Sequence, residues 1–177
     1  LASVVKELFG EFKYISLYDQ VKQGIEKGVY DPELLEYYTQ EDYEWLDKQL
    51  DHSRDMNFTY AGIQQVVDKY LVQDRSNGKL YETPQYMYML IAATLFHKYP
   101  TETRLNYVKQ YYDAVSKFKI NIPTPVMAGV RTPLRQFASC VLVDVDDTLP
   151  SIFHSDSAMG FYVSRRAGIC VNAGRIR

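Results

Sequence analysis

The sequence lacks the features of an extracellular or membrane protein. Its 177 residues include only two cysteines, Cys140 and Cys170, too few for a disulfide scaffold, which favours a reducing, cytoplasmic location. No apolar run approaches the roughly 20 residues that a membrane-spanning helix needs. Residues 1–7 (LASVVKE) are amphipathic and include an acid, unlike a secretory signal. We therefore expect no membrane partner.

A large excess of charge of either sign is also absent. Twenty basic residues face 22 acidic ones, for a net charge of −2, which argues against a nucleic-acid partner because such proteins carry a basic surface. The three histidines, His52, His97 and His154, are scattered, so we expect ordinary histidines and no metal site. No GKS or GKT phosphate loop is present, and residues 168–174 (GICVNAG) do not match GxGxxG.

Residue usage changes near position 120. Fifteen of the 16 tyrosines lie in residues 1–112, and all 11 lysines lie in residues 1–119. After residue 120 there are six arginines and no lysine, which suits forked recognition of phosphate or carboxylate. For the tyrosines, core packing with a hydrogen-bonded hydroxyl is favoured over a cofactor site. The change indicates two regions of different character.

The first region is patterned as helices. Asp31 can cap a helix whose first residue is Pro32, and Thr39 can cap a helix over 40–50. The other segments predicted here are a helix over 59–72, a turn over 76–79, and helices over 83–99 and 101–118.

The segment 83–99 is apolar on all sides, which predicts a central helix. We expect Leu90 and Leu95 on this helix to be nearly fully buried.

The second region is patterned differently. Residues 120–125 contain two prolines and are predicted to be non-helical, because a residue before proline favours extended geometry. The remaining segments are a loop over 129–135, a buried strand over 136–144, a helix over 148–166 and a short strand over 168–171. We therefore expect a helical unit joined to the start of an α/β unit.

Two features of the second region carry alternatives that the residues alone leave open. Cys140, next to Ser139 in an apolar strand, is either a small buried hydrophobe or a reactive thiol, the latter if a cation such as Arg131 or Arg135 lies beside it. The acidic cluster at 144–147 is either a solvated strand end or a cation site, with the first favoured.

Longer motifs resemble one family. Residues 123–133 (PTPVMAGVRTP) and 135–142 (RQFASCVL) are similar to the start of the catalytic barrel of the class I ribonucleotide reductase large subunit. Residues 165–169 (RRAGI) and 172–177 (NAGRIR) resemble the next landmark of that family. Upstream, the segments similar to its helical domain are 51–56 (DHSRDM), 69–73 (KYLVQ) and 99–104 (YPTETR).

The resemblance covers essentially the whole chain and implies its fold. The fold class would be a mainly α N-terminal domain followed by the beginning, incomplete here, of a ten-stranded α/β barrel. Residues 1–10 would be the end of an ATP-cone-like domain, 11–120 the helical domain and 121–177 the start of the barrel. We expect the chain to be a fragment, or one product of a split gene.

The resemblance also implies an activity, the reduction of ribonucleoside diphosphates to deoxyribonucleoside diphosphates by a radical mechanism with redox-active cysteines. Cys140 would be one redox-active thiol of the substrate site. Thr124 and Ser139 would hold the substrate diphosphate and ribose, and Ala167 and Gly168 would line the same pocket.

An effector site is implied as well. Asp147 is similar to the residue that meets the deoxyribose of a deoxynucleoside triphosphate, with Thr148 and Leu149 beside it. Arg177 resembles the arginine that binds the effector phosphates. Lys6 is the weakest match, to a phosphate-contacting lysine of the activity-regulating ATP cone.

The family implies partners that the segment itself does not contain. The helix over 150–166 would pack against a second large subunit. The other partners implied are the remaining C-terminal part of the subunit with its further cysteines, a small subunit with a metal-radical cofactor, and thioredoxin or glutaredoxin as external dithiol. No cofactor would be bound by this segment itself. Cys170 stands where the family has glycine, and we do not expect it to be the redox partner.

This segment alone would be inactive, because the radical cysteine lies elsewhere. The alternative function is a non-catalytic assembly or effector-nucleotide-binding module that donates a strand and a dimer helix to another chain. A plain helical interaction domain with a decayed barrel edge is the third possibility. Co-purification with a longer chain that carries the remaining cysteines would separate a split enzyme from an isolated module.

Overall fold

The computed structural model describes the whole chain except Leu1, Arg75, Gln136, Ser139, Arg165 and Arg166, and the side chains of Ala2 and Ser3. It divides into two compact units, Leu1–Arg135 and Gln136–Arg177, which we call the helical unit and the strand–helix–strand unit.

Eight α-helices are described in the helical unit. They are α1 (Ala2–Phe9), α2 (Leu17–Glu26), α3 (Glu33–Tyr37), α4 (Gln40–Asp47), α5 (Tyr60–Gln65), α6 (Pro84–Phe96), α7 (Thr101–Ser116) and α8 (Thr124–Gly129). A 3-10 helix (His52–Asn57) precedes α5, and a π-helix (Val66–Tyr70) follows it. The strands β1 (Gln73–Asp74) and β2 (Lys79–Leu80) form a small antiparallel hairpin around the predicted turn.

Helix starts follow the predicted capping chemistry. The Thr39 side chain accepts from the Asp42 N–H, and the Asp42 carboxylate accepts from the Thr39 N–H, so α4 begins with a capping box. α3 begins at Glu33, one position later than predicted, and the Asp31 carboxylate accepts from the Glu33 N–H. Both starts were therefore readable from local polar residues, whereas α4 ends at Asp47 rather than at residue 50.

The central position of α6 is confirmed, because its residues from Pro84 to Thr94 are all buried. Leu90 is 0% exposed, as predicted. The prediction for Leu95 is wrong, because its side chain is 39% exposed. Leu95 lies in the last turn, where the helix leaves the core, and an apolar pattern does not show where the covering elements stop.

Several tyrosines pack in the core with their hydroxyls bonded, as predicted, whereas others are exposed: Tyr14, Tyr60, Tyr99, Tyr107 and Tyr162. Tyr43 donates to the Leu34 carbonyl at 2.6 Å, and Tyr38 donates to the Ala93 carbonyl at 2.8 Å. Both rings are buried, so the hydroxyls satisfy backbone oxygens that would otherwise lose water without compensation.

The segment after residue 120 contains a helix that the prolines argued against. α8 begins at Thr124, and Pro125 occupies its second position, where an N–H has no intrahelical partner to lose. The prediction of no helix over 120–125 is therefore wrong for the last two residues. The helical unit extends to Arg135. The expected domain boundary, placed where residue usage changes, was at residue 120.

The strand–helix–strand unit consists of β3 (Cys140–Asp144), α9 (Leu149–Ser164) and β4 (Gly168–Asn172). The two strands are parallel, and Cys140 is level with Gly168. The strand over 136–144 is shorter than predicted, and its expected burial is wrong, because Leu142 is 81% exposed. Within the described residues, α9 packs on one face of the two strands and leaves the other face open.

Among the described residues, no helix combines the length and the apolar character needed to cross a membrane.

Candidate functional site

The candidate redox thiol lies at the start of β3, on the open face of the sheet. Side chains alternate along the strand, so Cys140, Leu142 and Asp144 share the exposed face. On the neighbouring strand Gly168 is level with Cys140 and contributes no side chain. The thiol therefore has open space on its strand neighbour, where a ligand can approach the backbone.

Ala167 and Gly168 are held by the end of α9. The Ala167 N–H donates to the Tyr162 carbonyl at 3.1 Å, which closes the helix just before β4 begins. Ala167 is buried and Gly168 is exposed. Two predicted pocket positions, Cys140 and Gly168, are thus brought side by side, while the predicted Ser139 lies outside the described residues.

Cys170 is placed diagonally from Cys140. It is level with Leu142, two residues along β3 from Cys140, and shares the same sheet face. A two-residue rise combined with the spacing between strands puts the two Cα atoms roughly 8 Å apart, outside the usual range for a disulfide. No disulfide joins the two cysteines. In this arrangement the two cysteines are too far apart to form a disulfide with each other, and the redox role of either cysteine stays a prediction.

The two arginines considered as thiol activators have carboxylate partners in the helical unit. Arg131 is fully buried and pairs with Glu82. Arg135 pairs with Asp31 at 2.6 Å and with Glu33 at 2.9 Å. Both guanidinium groups are occupied by structural ion pairs, which leaves the activation of the Cys140 thiol by either of them without support.

Thr124, one of the two residues expected to hold the substrate diphosphate and ribose, is the first residue of α8. Its Oγ1 lies 3.1 Å from the Oη of Tyr70, the last residue of the π-helix. The side chain of Thr124 is half-buried, so one side of the hydroxyl is supported by protein.

The candidate effector residues Asp147, Thr148 and Leu149 connect β3 to α9. The Thr148 side chain accepts from the Ser151 N–H at 3.3 Å and so caps α9. Asp147 and Leu149 are exposed at this helix start.

An arginine that the sequence interpretation did not select organises the same end of the sheet. Arg175 Nη1 lies 3.0 Å from Asp146 Oδ1, and its Nη2 lies 3.7 Å from Asp144 Oδ2. The Asp146 N–H donates to Ser151 Oγ at 3.0 Å, so Asp146 contacts both the start of α9 and the segment that follows β4. Arg177, the candidate phosphate residue, lies two positions beyond Arg175 and is exposed.

The acidic cluster behaves as the solvated strand end that was favoured. Asp144, Asp146 and Asp147 are all exposed. Asp144 and Asp146, two residues apart, both lie within ion-pair distance of the Arg175 guanidinium. Within the described residues, no three His, Cys, Asp or Glu side chains are grouped to hold a metal ion.

Lys6, the weakest candidate, lies on α1 at the edge of a cavity of about 450 Å³ that Tyr14, His52 and Asp55 also line. Burial lowers the pKa of His52 and raises the pKa of Asp55 to about 7. Asp55 Oδ1 accepts from Gln85 Nε2 at 2.8 Å. Near neutral pH, burial therefore favours the uncharged forms of His52 and Asp55 in the cavity wall.

A family profile matches part of the helical unit. Residues 56–135 match the family described as "Ribonucleotide reductase, all-alpha domain". The match ends at the residue where the helical unit ends.

Whole-chain relatives extend the similarity into the second unit. The chain is 55% identical over 172 residues to the "Ribonucleoside-diphosphate reductase 1 subunit alpha" of Escherichia coli (strain K12), covering 97% of this chain and 23% of the relative. It is 44% identical to the subunit alpha of Enterobacteria phage T4, again over 97% of this chain and 23% of the relative. The subunit alpha of Treponema pallidum is 29% identical over 162 residues, 92% of this chain and 19% of the relative. The chain thus spans about a quarter of the length of these relatives or less.

Proposed function

Because this chain belongs to the ribonucleotide reductase large-subunit family, we propose that it supplies the all-alpha domain and the first strands of the catalytic barrel of a ribonucleoside-diphosphate reductase. The observation that carries the proposal is the 55% identity over 97% of the chain, which continues past residue 135 into the strand that holds Cys140. The one-sided sheet supports it, because parallel strands are normally covered on both faces.

The proposed reaction replaces the 2′-hydroxyl of a ribonucleoside diphosphate by hydrogen. The hydroxyl leaves as water, and two thiols give up two electrons and two protons and become a disulfide. Cys140 is one of these thiols, and the second belongs to the remaining part of the subunit. An external dithiol, thioredoxin or glutaredoxin, reduces the disulfide for the next turnover. The radical that starts the reaction comes from a small subunit with a metal-radical cofactor and is regenerated at its end.

Substrate contacts are proposed for both units. In the helical unit, the Thr124 hydroxyl contacts the substrate diphosphate. In the strand–helix–strand unit, Ser139 contacts the substrate, and the Ala167 and Gly168 backbone lines its pocket. The support is the half-exposed hydroxyl of Thr124 and the open backbone at Gly168, beside Cys140.

Regulation is proposed for the end of the sheet and for α9. A deoxynucleoside triphosphate contacts Asp147 through its sugar, with Thr148 and Leu149 beside it, and Arg177 through its phosphates. Lys6 belongs to a separate ATP-responsive region. A second large subunit packs on α9, whose exposed apolar side chains include Phe153 and Phe161. Large apolar residues in contiguous exposed positions are typical of interaction surfaces.

The decisive experiment uses a completed subunit, defined as the Escherichia coli relative with this chain in place of its matching segment. Combined with the relative's small subunit and thioredoxin, it should reduce cytidine diphosphate, whereas the 177-residue chain alone should not. Cys140→Ser should abolish multiple turnover while leaving the binding of deoxynucleoside triphosphates intact.

The control is Cys170→Ser, which should retain turnover because that thiol is not proposed to react. A completed subunit that folds and binds effector but never reduces the diphosphate would refute the proposed function, and so would sustained turnover by the Cys140→Ser variant.

The alternative is an assembly or effector-binding module that acts without its own catalysis. Under this alternative the chain, co-expressed with a longer chain carrying the remaining cysteines, should co-purify and bind nucleotide without Cys140 ever being oxidised by substrate.

A further inference from the structure

We infer that Tyr70 is a positioning residue that orients the Thr124 hydroxyl toward the phosphate groups of the substrate. The inference rests on the proposed function, because it needs Thr124 to contact a nucleoside diphosphate. It adds a residue to that site and assigns it a defined task.

The contact that carries the inference joins two side-chain hydroxyls. Tyr70 Oη and Thr124 Oγ1 are 3.1 Å apart, and either atom can donate in the absence of ligand. Tyr70 is 6% exposed, whereas Thr124 is half-buried. The tyrosine therefore approaches the threonine from the protein side and leaves the other side of Thr124 open.

A bound phosphate group would determine which of the two hydroxyls, Tyr70 or Thr124, donates the hydrogen bond between them. Phosphate oxygens of a diphosphate accept hydrogen bonds, so the single hydrogen of Thr124 must point at the ligand. The lone pairs of Oγ1 can then accept the hydrogen of Tyr70. A hydroxyl that accepts while it donates is polarised, and the bond that it donates is strengthened. Tyr70 thus selects the orientation of Thr124 that phosphate requires.

The position of Tyr70 is fixed from its backbone. The Tyr70 carbonyl accepts from Arg131 Nη2 at 3.0 Å, and Arg131 Nε lies 2.9 Å from Glu82 Oε2. The side chains of Arg131 and Glu82 are both 0% exposed, so water does not compete for the bonds between them. Tyr70 is held at its carbonyl by a buried ion pair and meets Thr124 with its hydroxyl.

The local helix geometry supports a functional role for Tyr70. The chain changes from α5 to a π-helix over Val66–Tyr70, and the next residue, Leu71, is extended. A π-helical turn is a rare and less stable alternative to the α-helix and frequently occurs at functional sites. Here it ends on the residue that contacts Thr124.

The test is steady-state kinetics of the completed subunit with cytidine diphosphate. Tyr70→Phe removes one hydroxyl and keeps the ring, so the KM should rise about 2- to 12-fold, the range that corresponds to one neutral hydrogen bond. The value of kcat should stay within about twofold, because Tyr70 does not contact the reacting ribose. Thr124→Ala should also raise the KM, and adding Tyr70→Phe to it should cause little further change.

Tyr112→Phe is the matched control. This buried hydroxyl donates to Gln85 Oε1 and accepts from the Asp51 N–H in the same unit, and it does not contact Thr124. Its loss should lower the midpoint of thermal unfolding without raising the KM. A comparable KM rise in the Tyr112→Phe variant would mean a general structural effect and would overturn the inference.

Two further outcomes separate the inference from the proposed function. If Thr124→Ala raises the KM and Tyr70→Phe does not, the role of Tyr70 is refuted and the proposed function stands. If Thr124→Ala leaves the KM unchanged in an active completed subunit, both assignments at Thr124 fail. If the folded completed subunit has no reductase activity, the proposed function itself fails.

Discussion

Arg131 and Glu82 form an ion pair that solvent does not reach, although they lie 49 positions apart in the chain. The carboxylate is satisfied further by the Tyr30 hydroxyl at 2.7 Å and by the Val72 N–H at 2.7 Å. Burial and the adjacent Glu82 carboxylate raise the pKa of Tyr30 well above its ordinary value. The pair joins the segment after α8 to the segment that leads into α6, and so attaches residues 124–135 to the helical core.

Breaking this pair should be costly. We expect Glu82→Gln and Arg131→Met each to lower the free energy of unfolding by about 3–5 kcal/mol, because each change leaves the other charge buried without a partner. The measurement is urea unfolding followed by fluorescence of Trp45, the single tryptophan, which lies in the helical unit. The double variant Glu82→Gln/Arg131→Met should cost less than the sum of the two single changes, and strict additivity would contradict the explanation.

Truncation of the two leucines of α6 should lower the free energy of unfolding by different amounts. Leu90→Ala empties fully buried space and should cost about 2–5 kcal/mol in the same unfolding measurement. Leu95→Ala removes a side chain that is already partly in water and should cost less than about 1 kcal/mol. Equal losses at the two positions would show that Leu95 is covered in solution.

Asp55 should make stability depend on pH. Its folded-state pKa of about 7 exceeds the ordinary value of 3.8, because burial disfavours the charged form. The folded state thus binds the proton more tightly, and this stabilisation is complete below about pH 4 and lost as the pH rises through 7. Relative to Asp55→Asn, the wild type should lose on the order of 2–4 kcal/mol between pH 4 and pH 8.

The control for Asp55 is Glu7→Gln, which neutralises an exposed acid of α1. This variant should follow the wild-type pH dependence. A wild-type profile parallel to that of Asp55→Asn across the whole range would refute the assignment.

Arg177 should matter for effector affinity and not for basal turnover. In the completed subunit, Arg177→Ala should weaken the binding of a deoxynucleoside triphosphate by about 1.5–3 kcal/mol, the range for hydrogen bonds to a charged group. The measurement is equilibrium binding of the deoxynucleoside triphosphate. The control is Lys119→Ala, which removes an exposed cation outside the proposed effector site. Substrate preference should flatten in the Arg177→Ala variant, because an effector acts only through different affinities for two states. Equal affinities of wild type and variant would remove Arg177 from the effector site.

The features that sequence could predict depend on neighbours in the chain. The capping box at Thr39 needs only Asp42, three residues away, and the central position of α6 follows from its uniform apolar composition. The strands β3 and β4 were also found, because short apolar runs bounded by turn residues are typical of strands in parallel sheets.

The features that sequence could not predict depend on distant partners. The exposure of Leu95 is decided by where other helices end, and the π-helix ending at Tyr70 is accompanied by contacts to Thr124 and Arg131. The Arg175 contacts with Asp144 and Asp146 join residues about thirty positions apart, which a local pattern does not show. The proposed site residues were identified by family resemblance, because composition and spacing do not distinguish Cys140 from an inert buried thiol.

The one-sided sheet has a consequence for handling the protein. Within the described residues, β3 and β4 pair only with each other, and Leu142 stands uncovered on their open face. Unpaired strand edges next to exposed apolar side chains are templates for adding further strands from other molecules. A preparation of the chain alone should therefore form aggregates more readily as its concentration rises. Replacing Leu142 by lysine should improve its solubility without touching the helical unit.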